Sequence, residues 1–86
     1  MSAERLETIF PPFSFTLDGA KVTIFEITKS ELISGDKWYH VHLDIAWRNK
    51  RSRRFTLDVK SWEDLLRKLL VEISKFKLMI LMGVEV

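Results

Sequence analysis

Cysteine and glutamine are absent from this 86-residue chain, asparagine occurs once, at Asn49, and glycine only three times. Without cysteine there is no disulfide framework, no thiolate metal site and no cysteine nucleophile. The sequence contains no GxSxG nucleophile elbow and no phosphate-cradling GxxxxGKS or GxGxxG loop. Its longest uninterrupted apolar run, Leu78 to Met82, is far shorter than the roughly 20 residues of a membrane span. The opening residues MSAERLETIF carry acids and no apolar run, unlike a secretory leader, so a cytoplasmic location is expected. Few amides beside many Lys, Arg and Glu match the composition of thermophile proteins.

What is present describes one folded domain. With 47% hydrophobic and 30% charged residues the chain has enough apolar matter for a single core, at a size where burial only just outweighs chain entropy. Apolar surface left over at that size is expected to be covered by a second copy.

Phe13, Phe15 and Leu17 alternate with Ser14, Thr16 and Asp18, the pattern of a half-buried strand, and Asp18-Gly19 supplies the positive φ values of a tight hairpin. The return strand, Lys21 to about Lys29, has Val22 and Ile24 on one parity and Phe25 and Ile27 on the other, which predicts a bulge or apolar residues on both faces. Ser34-Gly35-Asp36 is the next turn. The third strand is cleaner: Tyr39, Val41, Leu43, Ile45 and Trp47 form one face, and Trp38, His40, His42, Asp44, Ala46 and Arg48 the other. In the fourth, Phe55, Leu57 and Val59 face the core while Arg54, Thr56, Asp58 and Lys60 face away. The second face of the sheet is therefore expected to be polar, basic and open.

Ser61 followed by Asp64 is an N-cap with an acidic third position, and Gly83 a natural terminator, so a helix of about 21 residues and about 31 Å is predicted between them. Trp62, Leu66, Leu69, Ile73, Phe76 and Ile80 make one seam. Further apolar residues leave the last turns apolar nearly all round, wider than the stripe that packing on one sheet requires. Leu70, Phe76, Leu78, Met79, Ile80, Leu81 and Met82 are therefore assigned to an interface with a second copy. The resulting fold class is α+β: an antiparallel sheet of about four strands followed by one long C-terminal helix packed on one face. In this division residues 1–12 are an N-terminal segment, 13–60 the sheet and 61–83 the helix.

Function is concentrated between Lys37 and Lys60, where seven of the fourteen Lys and Arg residues meet two of the twelve acids, giving this stretch +5 in a protein of net charge +2. From Arg48 to Arg54, five of seven residues are basic with no acid between them, a self-repelling cluster that an anion would relieve. Cations that hold phosphates beside rings that stack bases are the composition of a nucleic-acid surface. Arg48, Lys50, Arg51, Arg53, Arg54 and Lys60 are assigned to phosphates, and Trp38 and Trp47 to stacking, although Trp47 also has core parity. The helix is consumed by core and seam, which favours a single strand, DNA or RNA, over a duplex groove. The alternative is an assembly module whose basic hairpin meets an acidic partner.

His40-x-His42-x-Asp44 places three metal-ligand types on one strand face, but same-face neighbours lie nearly 7 Å apart and no second ligand pair is evident, so neither metal nor cofactor is expected. Asp44 and Asp58 have Arg48, Arg54 and Lys60 nearby, and ion pairing accounts for them better than a nuclease-like metal pair. No catalytic set is assigned, and the chain is read as a non-enzyme.

The strand-and-turn stretch KWYHVHLDIAWRNKRSRRFTLDV followed by SWEDLLRKLLVEISKFKLMILM resembles the archaeal ThermoDBP-type single-stranded DNA-binding proteins and their shorter relatives in the order of its elements. The resemblance implies DNA binding by a sheet-side cleft and dimerisation through the leucine-rich helix.

Overall fold

The computed structural model describes residues 6–84 and has the expected α+β layout. Strands β1 (Phe13–Leu17), β2 (Ala20–Glu31), β3 (Lys37–Trp47), β4 (Lys50–Arg51) and β5 (Phe55–Val59) precede helix α1 (Trp62–Leu81). The strands form an antiparallel meander in the order β1-β2-β3, with β4 and β5 both pairing β3. A two-residue turn joins β1 to β2 through Asp18 and Gly19, both at positive φ, as the Asp-Gly pair requires.

The basic turn is shorter than its composition suggests. Arg48 (φ 51°) and Asn49 (φ 64°) alone reverse the chain, and Lys50 already pairs with Trp47. Asn suits this left-handed conformation, whereas a long side chain such as Arg48 is uncommon there. Ser52 then replaces a ladder step: its N–H donates to the Ile45 carbonyl at 2.8 Å, and its Oγ accepts the Ile45 N–H at 2.9 Å. Arg53 and Arg54 bulge before β5 resumes opposite Leu43. A second bulge lies in β2, where Ile24 pairs with Leu43 and Glu26 with His42, leaving Phe25 as the extra residue. This is the physical origin of the parity conflict in that strand.

One sheet face carries the core. Val22, Ile24, Tyr39, Val41, Leu43, Ile45 and Val59 are buried against Leu65, Leu69, Ile73 and Phe76 of α1. Leu6, from the N-terminal segment, joins them, and the neighbouring Glu7 accepts a hydrogen bond from the Tyr39 hydroxyl. Ser61 Oγ accepts the Asp64 N–H at 3.1 Å, while Asp64 Oδ2 accepts the Lys60 N–H at 3.1 Å, so the helix starts on reciprocal caps. It ends in a Schellman arrangement, with the Val84 N–H on the Met79 carbonyl at 2.8 Å, the Gly83 N–H on Ile80 at 3.1 Å, and Gly83 at φ 76°.

The assigned interface set divides. Phe76 is buried in the chain's own core and Ile80 packs half-buried against it, because their helical phase coincides with Leu69 and Ile73. Leu70, Leu78, Met79, Leu81 and Met82 are exposed, as are Val71 and Val84. Among the described residues no helix is long and apolar enough to cross a membrane.

Candidate nucleic-acid interface

The sheet face opposite α1 is built by alternation along β2, β3 and β5. Across it run three registered rows: Ser30 and Trp38 with Lys60 beyond the last pair, then Thr28, His40 and Asp58, then Glu26, His42 and Thr56. Side chains link the strands within and between these rows. His40 holds Ser30 Oγ at Nε2 (2.5 Å) and Asp58 Oδ1 at Nδ1 (2.6 Å), and His42 Nδ1 holds Thr56 Oγ1 at 2.8 Å. Ser30, His40 and Asp58 have the partner order of a nucleophile, a base and an orienting carboxylate. They lie on an open face outside the concavities described below, and their evident effect is to clasp three strands. The His40–Asp58 contact also places Asp58 away from Asp44. Among the described residues no three His, Asp or Glu side chains converge as a metal site.

The basic residues do not form one patch, because strand alternation and the bulge before β5 deal them to different faces. Trp38 lies on the open face with Lys60 Nζ 4.8 Å and Lys68 Nζ 5.7 Å from its ring centre. Arg54 lies there too, its guanidinium carbon 3.8 Å from the centre of the Phe25 ring. Trp47 is on the helix side: it packs against the core, with Arg48 at 4.4 Å and Lys77 of α1 at 5.3 Å from its ring. Trp38 and Trp47 therefore occupy opposite faces and opposite ends of β3, so they cannot stack neighbouring bases of one strand. Lys50, registered opposite Trp47, shares the helix side, and Arg53 lines an apolar concavity with Phe76 and Met79.

Arg51 has another employment. Asp44 has open-face parity but is only 3% exposed, and its Oδ2 lies 3.4 Å from Arg51 Nε, while Oδ1 is buried without a hydrogen bond. A carboxylate withdrawn from water needs a counterion, so Arg51 neutralises Asp44 before it can serve a phosphate.

The bulges create a recess that sequence reasoning missed. Phe25, Glu26, His42, Arg54, Phe55 and Thr56 line a concavity of about 560 Å³ on the open face. Glu26 is exposed, and its side chain has no hydrogen bond or ion pair among the described residues. The signal was the parity conflict between Ile24 and Ile27, since a bulge at Phe25 leaves Phe25 and Glu26 together on the open face and returns Ile27 to the core.

Comparison with known protein families, characterised proteins and solved structures finds no match to this chain.

Proposed function

We propose that the open sheet face binds single-stranded nucleic acid, DNA in the first instance, with little dependence on sequence along most of the strand. The observation that carries this reading is the pair of cation-covered rings on one exposed face, Trp38 with Lys60 and Lys68, and Phe25 with Arg54. Between them lie four to five residues of β3, about 15 Å of strand. A base laid on Trp38 exchanges an ammonium for a π-face, and the displaced lysine is then placed to meet the phosphate of the same nucleotide. The likeness to ThermoDBP-type proteins in element order supports the same reading. Partnership with a second copy belongs to it as well: Leu70, Val71, Leu78, Leu81 and Met82 make a stripe on the side of α1 away from the core. With Met79 and Val84 it leaves the outer side of the helix largely apolar and exposed, a feature rare on monomers.

The test is a fluorescence titration with single-stranded DNA, single-stranded RNA, duplex and an acidic polypeptide across a salt series. Engagement of about four phosphates gives a log-affinity against log-salt slope near −3 for a single strand. Trp38→Ala loses about 1–3 kcal/mol with little change in slope, Lys60→Ala flattens the slope by about 0.7, and Lys50→Ala leaves it unchanged. Acidic polypeptide binding as tightly as the strands, with no dependence on Trp38, would establish the assembly-module reading instead.

A further inference from the structure

We propose that the recess between the two bulges is a site for one guanine base. The inference rests on the nucleic-acid reading of the open face, and it adds a single base-selective position to an otherwise tolerant surface.

Shape and stacking come first. The volume of about 560 Å³ falls within the about 300–1,000 Å³ of small-ligand sites. Its inner wall is the Phe25 ring with the Arg54 guanidinium laid on it, a flat, delocalised cation whose outer face is itself a stacking surface for a base. A purine on Arg54 extends a stack already founded on Phe25.

The polar wall determines which purine. Glu26 and His42 are cross-strand partners, so their side chains stand next to each other on the same face. An ionised carboxylate is acceptor-only and offers two oxygens. His42 Nδ1 is held by Thr56 Oγ1, and with that hydroxyl donating, the ring proton resides on Nε2. The recess thus presents two acceptors and then a donor. The Watson–Crick edge of guanine is the complement: the N2 amino group and N1–H donate, and O6 accepts. Adenine and cytosine each set a ring-nitrogen lone pair against the carboxylate, and thymine sets carbonyl oxygens on both sides of its one N–H, so each leaves repelled or unpaired polar atoms. Among the described residues no side chain pairs with the Glu26 carboxylate, which leaves both its oxygens available.

A guanine in a strand and the base of a free nucleotide share this chemistry, and the experiment separates them. Affinities of the full chain are measured for a short thymidine oligonucleotide, for the same strand with one central guanine, adenine or cytosine, and for guanosine and adenosine monophosphates. The guanine strand binds about tenfold tighter than the others, a magnitude typical of a bidentate base contact. Glu26→Ala, an exposed substitution that the fold tolerates, abolishes that preference, so that all four strands bind alike. Equal binding of all strands, or a guanine preference that survives Glu26→Ala, overturns the guanine site and leaves the strand-binding reading standing. If no strand binds but guanosine monophosphate does, in a Glu26-dependent way, the recess is a nucleotide site and the strand-binding reading falls. If nothing binds, both fall.

Discussion

The Arg54 guanidinium on the Phe25 ring, 3.8 Å from carbon to centroid, joins a bulge in β2 to the bulge before β5 across the whole width of β3. Each bulge breaks a ladder locally, and the contact makes each an anchor for the other. A double-mutant cycle with Phe25→Leu and Arg54→Met should give a coupling of about 0.5–1 kcal/mol in chemical denaturation, the worth of a partly exposed cation–π pair. Additive effects would mean that the bulges are independent.

Arg51 and Asp44 predict an asymmetric pair of substitutions. Arg51→Met strands a buried carboxylate and should cost about 1–3 kcal/mol. Asp44→Asn in that background should recover much of the loss, because the group left unpaired is then neutral. An unchanged melting temperature for Arg51→Met would show that Arg51 is a free surface cation.

Much of the fold was legible in the sequence because it is local. Asp18-Gly19, Ser61 with Asp64, and Gly83 each meet a backbone requirement within a few residues, and the alternation from Tyr39 to Ile45 marks a face directly. The site was only half legible because its geometry depends on pairing between distant residues. The bulge before β5 decides that Arg51 shares the open side with Asp44 and Lys50 the helix side with Trp47, and alternation counted back from Phe55 gives the reverse. Asp44 followed the polar parity of β3 and was nevertheless buried, since Arg51 comes to rest on it. Phe25 looked like an irregularity in a core strand until its register with Leu43 and His42 was known.

Stability should fall at both extremes of pH for separate reasons. The hydrogen bond to Glu7, then burial, push the Tyr39 hydroxyl up to about 12. Tyrosine ionises near 10 in the unfolded chain, so this contribution is intact below pH 10 and lost between about 10 and 12. Tyr39→Phe should flatten that limb of a melting-temperature profile. On the acid side, burial raises the Asp64 carboxyl, but the Lys60 N–H, Lys68 and Arg67 outweigh it and hold it below its ordinary value. Its contribution is present above about pH 4 and disappears as the pH falls through the lowered value. Asp64→Asn should cost about 0.3–1 kcal/mol at neutral pH and little in strong acid.

The two sides of α1 should respond differently to the same substitution. Leu78→Glu and Leu81→Glu change exposed positions and should give folded monomers in sedimentation, under conditions where the unmodified protein is expected to run as a dimer. Ile80→Glu reaches the core and should unfold the chain. A well-folded unmodified monomer at high micromolar concentration would remove the interface.

The meander has a kinetic consequence. Each strand pairs with a close neighbour in the chain, so the sheet closes through short loops of low entropic cost. Docking of α1 is the long-range event, and the Lys77 ammonium on the Asp18 carbonyl spans 59 residues. The sheet should therefore be largely assembled at the folding barrier, with the C-terminal half of the helix settling afterwards. Ile73→Ala would then speed unfolding in stopped-flow experiments and hardly slow refolding, whereas Val41→Ala would slow refolding. The reverse pattern would place the helix in the nucleus. In the expected order, the proposed contact between apolar stripes forms only after the open sheet face already exists, so a chain that has not yet dimerised would already carry the proposed nucleic-acid surface.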